Sequence, residues 1–223
     1  MRNELDFAAI RKLLTEGNKV LLLVRHAERT KIDNNDPTFG EGLPITENGV
    51  KMSVDFGAAL KGACEEVEFR SSPLRRTRMT AEAIAEGMSI AKPEIVEDDL
   101  IGNGSAFFAD RYEVFELFRD HRFFEHMFEY LSGKPQRGFA PLETAAEAYE
   151  KYVMSLFKSR LGIYATHDVF VAAFLTGKKS YDFDIETWPR FLDAAAIIIA
   201  PDGERSYALL RSGLSNDIMG VGK

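Results

Sequence analysis

Cysteine is almost missing from this chain: Cys64 is alone among 223 residues. That excludes a disulfide within the chain and any cysteine-rich metal site. Cys64 falls in a helical pattern and reads as a small buried or half-buried residue. Net positive charge is missing too. The formal charge is −7, so the chain lacks the basic footprint that a nucleic-acid binder needs to neutralise phosphates. An anionic ligand would have to be held by a local cluster of Arg or Lys. Long apolar runs are also lacking. Val20 to Val24 reads as a strand, far too short to span a bilayer. The N-terminal residues Met1-Arg2-Asn3-Glu4-Leu5-Asp6 do not carry the basic and then apolar regions of a signal peptide. A cytoplasmic protein with neither a nucleic-acid nor a membrane partner is expected. His121 and His126 are five residues apart, share no helix face and give no metal site, and no cofactor is implied. Oligomeric state has no readable signal.

What is present reads as an α/β fold. Hydrophobic residues make up 45% and charged residues 28%, the balance of one globular domain with room for an insertion. Residues 5–16 form an amphipathic helix, with Leu5, Ala8, Ala9, Leu13 and Leu14 on one face, and Gly17 ends it. Lys19 to Val24 is a continuous apolar strand of the kind buried on both faces of a parallel sheet. A polar loop rich in Asn, Asp, Pro and Gly follows Thr30. Thr46 caps a helix through about Leu60, with Val50, Val54, Phe56, Ala58, Ala59 and Leu60 as core candidates. Glu66 to Arg70 is a strand. Ser72 then reads as an N-cap, with Pro73 at the first helical position of a helix through about Glu86. Pro93 to Val96 is a third strand. Residues 105–158 are helical and rich in aromatics, broken at Gly133 to Pro141. Strand Leu161 to Thr166, helix Val169 to Leu175 and strands near 194–200 and 204–211 complete the pattern. Alternating strands and helices imply a three-layer α/β/α sandwich with a mostly parallel sheet, interrupted by a helical cap at about 105–158.

Three polar segments each follow a strand: His26, Ser72 to Arg76, and His167-Asp168. In open α/β sheets, ligand sites form beyond the carboxyl ends of strands, so these segments should meet. Their chemistry suits a phosphate group. Arginines give permanently charged, bidentate contacts to phosphate oxygens, and a helix N-terminus favours an anion. His26 among arginines should stay neutral and able to attack phosphorus. Asp168 is placed to protonate the leaving oxygen and then to deprotonate water. His167 would donate to the phosphoryl oxygens.

Arg25-His26-Ala27-Glu28-Arg29-Thr30 resembles the R-H-G-x-R-x-P signature of the histidine phosphatase superfamily, in its acid-phosphatase form. Leu43-Pro44-Ile45-Thr46-Glu47-Asn48-Gly49 resembles its L-T-x-x-G element. Residues 72–81, from Ser72-Pro73 through Arg76 to Thr80-Ala81, resemble its S-P-x-x-R-x-x-x-T-A element. Thr166-His167-Asp168 resembles the later H-D motif. The resemblance implies a phosphoglycerate mutase-like fold and a phosphomonoester hydrolase that needs no metal. It implies His26 as nucleophile, Arg25, Arg29, Arg76 and His167 as the phosphate pocket, Asp168 as proton donor and a small phosphorylated substrate. The family glycine is Ala27 here, which would be strained if that backbone needed φ > 0. The family proline is replaced by Thr30-Lys31. The mutase-like branch carries an L-x-E glutamate where this chain reads Leu100-Ile101-Gly102, which favours Asp168, with Glu97, Asp98 and Asp99 nearby. A mutase-like phosphotransferase and a silent phospho-ligand binder are the alternative functions. Glu28 reads as a surface or supporting residue. Arg75 and Arg78 read as a solvated face, with Arg78 four residues before Glu82. The aromatics of 105–158 read mostly as core.

Overall fold

The computed structural model describes residues 2–33, 36, 38 and 40–221. The expected polar loop after Thr30 lies partly outside them, at Asn34, Asn35, Pro37 and Phe39. Seven strands form one sheet: β1 (Glu4–Leu5), β2 (Lys19–Arg25), β3 (Val67–Ser71), β4 (Ile95–Glu97), β5 (Leu161–Thr166), β6 (Ala194–Ile199) and β7 (Arg205–Leu210). Their order is β1-β7-β6-β2-β5-β3-β4. β2 pairs in parallel with β5, which pairs in parallel with β3, and β3 with β4. β6 runs antiparallel to both β2 and β7. The sheet is thus mostly parallel, as expected.

The apolar run of β2 is buried on both faces. Leu21 and Leu23 join one core with Phe170 and Phe174, while Val20, Leu22 and Val24 join the other with Phe56 and Ile84. One face carries α1 (Phe7–Thr15), α2 (Glu47–Leu60) and α3 (Arg75–Gly87), and the other carries α6 (Leu142–Leu156) and α7 (Asp168–Gly177). Two short helices, α4 (Arg111–Phe118) and α5 (Phe123–Leu131), stand between β4 and α6. The expected helical stretch of 105–158 therefore divides. Its last helix, α6, lies along α7 in the sandwich, and α5 also touches α7.

Several local expectations change. Leu5 belongs to strand β1, because Asp6 caps α1 by accepting from the Ala9 amide at 2.8 Å. Cys64 lies in the turn after α2, half-buried, and not in a helix. The buried stripe of α2 is Gly49, Met52, Ser53, Phe56, Gly57 and Leu60, while Ala58 is exposed. The reason is backbone contact: a Cβ on Gly57 would sit 2.0 Å from the Ile84 carbonyl oxygen of α3, and one on Gly87 equally close to that of Val54. The two helices pack through these glycines, so the axis of contact shifts away from the larger side chains.

Register then places the polar segments. Arg25 of β2 pairs with Thr166 of β5, and Ser71 of β3 pairs with Ala165. The residues one step further on, His26, Ser72 and His167, emerge together at the carboxyl edge. The His26 amide donates to the Thr166 carbonyl at 2.9 Å and the Ser72 amide to the Ala165 carbonyl at 3.0 Å, so both strand ends are tied to β5.

Candidate active site

His26, Arg29, Ser72, Arg76, His167 and Asp168 line one cavity of about 860 Å³ beside the carboxyl edge of the sheet. The imidazoles of His26 and His167 meet edge to face, 5.4 Å between centroids. Both are nearly fully buried. His26 Nδ1 lies 2.8 Å from the carbonyl oxygen of Ala27. A carbonyl only accepts, so Nδ1 carries the proton and Nε2 keeps its lone pair. Among the described residues, none bonds to that Nε2. Burial, then the charges of Arg76, His167, Arg29 and Arg25, hold the pKa of His26 well below the ordinary imidazole value. His167 is lowered well below it too, by burial and by Arg76, Arg29 and Arg25. Both rings are therefore neutral near pH 7, as the sequence implies for His26.

The guanidinium groups are anchored from the side. Arg76 Nη1 donates to the Gly40 carbonyl at 2.7 Å, and Arg29 Nη1 donates to the Thr30 and Met219 carbonyls at 2.9 and 3.2 Å. Among the described residues, the Nε atoms of both are buried without a partner. Burial, then the charge of Arg29 and Arg25 on Arg76 and of Arg25 on Arg29, press their pKa values down, to about 9 for Arg76 and about 10 for Arg29. An anion between them would relieve that pressure.

Arg25 takes a different place. It does not line the cavity with the others. Its Nη1 and Nη2 donate to the carbonyls of Pro189 and Ile218 at 2.5 and 2.6 Å. Its guanidinium stacks 4.1 Å from the centroid of the Phe191 ring and pairs with Asp168 at 3.3 Å. It acts on the cavity as buried charge, through its neighbours.

Ala27 adopts no positive φ, so the expected strain at this position is absent, and its amide donates to Thr80 Oγ1 at 3.0 Å. Glu28 is not a surface residue. It is buried, accepting from Thr46 Oγ1 at 2.7 Å and Asn48 Nδ2 at 3.2 Å, which clamps the signature loop to the start of α2. Thr46 caps α2 as expected. Ser72 does not cap α3. The helix begins at Arg75 behind Leu74, and Ser72 Oγ bonds instead to Thr77 Oγ1 at 2.8 Å and to His167 Nε2 at 3.1 Å. Asp168 opens α7, with His167 as its N-cap residue. Its Oδ1 accepts from the Val169 amide and its Oδ2 from the indole Nε1 of Trp188, at 3.0 and 2.9 Å.

Ser72 as a partner of His167, and Trp188 as a partner of Asp168, were not legible in the sequence. The T-A element foretells a buried hydroxyl at Thr80; nothing local marks Trp188. His126 binds Asp120 at 2.7 Å. Among the described residues, no group of three or more His, Cys, Asp or Glu stands at metal-ligand spacing. Likewise, no helix there is long and apolar enough to cross a membrane.

Residues 21–101 match the model of the histidine phosphatase superfamily, branch 1. The acid-phosphatase form of the motifs is not carried by that match. The fold resembles Bacillus stearothermophilus YhfR, with 17% identity over 88% of this chain and 99% of that one, at a TM-score of 0.54. It also resembles a phosphoglycerate mutase from Bacillus anthracis str. Sterne, with 13% identity over 86% and 92% of the two chains, at a TM-score of 0.53. An Entamoeba histolytica phosphoserine phosphatase, solved with 3-phosphoglyceric acid, has 16% identity over 87% and 98%, at a TM-score of 0.52. No curated protein matches in sequence. Over residues 21–101 the chain is thus similar to the histidine phosphatase superfamily, and its fold resembles that of a phosphoglycerate mutase.

Proposed function

We propose that this chain hydrolyses small phosphomonoesters through a phosphohistidine on His26, without a metal ion. The observation that carries the reading is the unprotonated His26 Nε2 beside the buried Arg76 and the half-buried Arg29, with Nδ1 engaged by the Ala27 carbonyl. In the first step Nε2 attacks phosphorus and the bond from phosphorus to the ester oxygen breaks. The leaving oxygen takes its proton from Asp168. Water then attacks the phosphohistidine and gives its proton to the Asp168 carboxylate. The phosphorus–nitrogen bond breaks, its electron pair returns to Nε2, and inorganic phosphate leaves.

Arg29 and Arg76 bind the phosphoryl oxygens, and Arg25 adds charge from behind the imidazoles. Ser72 supports His167. The one Thr77 hydroxyl proton goes to the Leu74 or Ser72 carbonyl, at 2.6 and 2.8 Å, so Ser72 Oγ donates to Thr77 Oγ1 and accepts from His167, which puts the proton of a neutral His167 on Nε2. Asp168 reaches the cavity, but both its oxygens already accept hydrogen bonds. That favours a second reading of the proton donor: Asp99 also lines the cavity, is half exposed, and has Arg111 at 3.6 Å as its charged neighbour.

The test is hydrolysis of an aryl phosphate in EDTA, with acid quenching to trap the phosphoenzyme. Turnover by wild type, lost in His26→Ala, is the expected result; no turnover, or full turnover by His26→Ala, removes the reading. Incubation with phosphoglycerates addresses the mutase alternative, since isomer exchange without phosphate release would favour it. Ligand binding with no acid-labile phosphohistidine would favour the silent binder.

A further inference from the structure

The cavity is far larger than a phosphoryl group, and its lining differs in chemistry from one part to another. Arg29, Arg76 and the two imidazoles occupy the floor. Part of the lining forms an apolar wall: Phe108, Phe115, Phe123 and Phe124, with Ile218 and Met219 also lining the cavity. The four rings are only partly buried in the protein, so part of each faces the cavity. They are held rigidly. Phe123 and Phe124 stand edge-on to each other at 5.1 Å, and both meet the buried Trp188 edge-on. Phe108 stands edge-on to Phe115 and packs on Phe170.

Charge at the mouth does not build a second anion site. Arg111 pairs with Asp99, Arg119 with Glu116, and Arg122 with both Asp120 and Glu125. Each of these arginines is matched by a carboxylate, whereas among the described residues no carboxylate forms an ion pair with Arg29 or Arg76. A ligand filling this cavity meets the charge of Arg29, Arg76 and Lys31, a polar lining that includes Glu41 and Asn103, and the partly exposed faces of four phenylalanine rings. Partly exposed, pre-packed rings give up apolar area to a ligand at little ordering cost.

We infer that the substrate is a phosphomonoester of a bulky apolar alcohol, aryl or long-chain alkyl, and not of a small polar one. This rests on the phosphatase reading for its chemistry, while the binding preference stands on the wall itself. The esterified oxygen sits over His26 beside Asp168, and the hydrocarbon part runs along the phenylalanines.

The test compares kcat/KM for ethyl, butyl, hexyl and octyl phosphate and 1-naphthyl phosphate against glycerol 2-phosphate and phosphoserine. Each added methylene should raise kcat/KM about fourfold, the increment from burying one methylene, until the wall is covered. Phe115→Ala and Phe124→Ala should flatten that dependence, with circular dichroism checking that each variant is folded. Calorimetric binding of the matching alkylphosphonates to the wild-type chain reads the wall without turnover. Ester cleavage that ignores chain length, or prefers glycerol 2-phosphate, overturns the inference and leaves the phosphatase reading intact. Phosphonate affinity that grows with chain length, without cleavage of any ester, supports the inference and overturns the hydrolase. Neither cleavage nor phosphonate binding overturns both.

Discussion

The floor and the wall of the cavity are built by different means. Every floor residue sits within about one helical turn of a strand end. His26 follows β2 directly, His167 follows β5, and Arg76 opens α3 behind β3. Their positions are set by strand register and backbone hydrogen bonds, and their charges are buried. The wall comes from the short helices α4 and α5 and from Phe108 just before them; Phe108 packs on Phe170 of α7, the α5 rings pack on Trp188, and the charges of these helices pair in solvent. The floor has little freedom to change without losing its chemistry. The wall can exchange side chains while the sheet stays as it is. On the proposed reading, mechanism is held by the rigid part of the molecule and ligand choice by the part that packing alone positions.

Substitutions sharpen that contrast. His26→Ala should cost the most: a loss of about 10⁶-fold in kcat with the fold retained, read by phosphate release, since removing a nucleophile removes the whole covalent route. Arg76→Ala should lower kcat about 10³-fold, because a buried donor aimed at developing phosphoryl charge is lost. Asp168→Asn should lower kcat about 10²-fold and change the basic limb of the pH profile. If that limb instead changes in Asp99→Asn alone, the proton donor is Asp99.

Stability against pH separates floor from wall in another way. The unfolded chain binds protons on His26 and His167 below about pH 6.5, while burial and the arginines refuse them in the folded state. The unfolded state therefore gains more protons as pH falls. Stability present above pH 6.5 should decline below it, by at most about 1.4 kcal/mol per pH unit for each histidine. Urea denaturation at pH 7 and pH 5.5 measures this, and a His26→Gln/His167→Gln double variant should show a flatter dependence. The smallest effect belongs to the wall. Arg122→Ala removes exposed ion pairs and should change stability by less than about 1 kcal/mol in the same assay. A loss of several kcal/mol there would break the contrast.

The sequence on its own determined the order of strands and helices apart from β1, the cap at Thr46, and the two histidines with Arg29 and Arg76 that meet at the sheet edge. These are local signals: a β2 run too apolar for any surface, turn residues after strands, and polar motifs one step beyond each strand. Tertiary structure decided what no local signal carries. Ser72, with every mark of a helix cap, was drawn to Thr77 and His167, because β3 ends beside β5. Arg25, adjacent to His26 in the chain, points behind the floor, because strand neighbours face opposite sides of the sheet and the carbonyls of Pro189 and Ile218 arrive there from far along the chain. Gly57 and Gly87 turned the packing face of α2, and Trp188 reached Asp168 across 20 residues. Periodicity fixes which way a side chain leaves its own element; what it meets depends on elements that only the folded chain brings near.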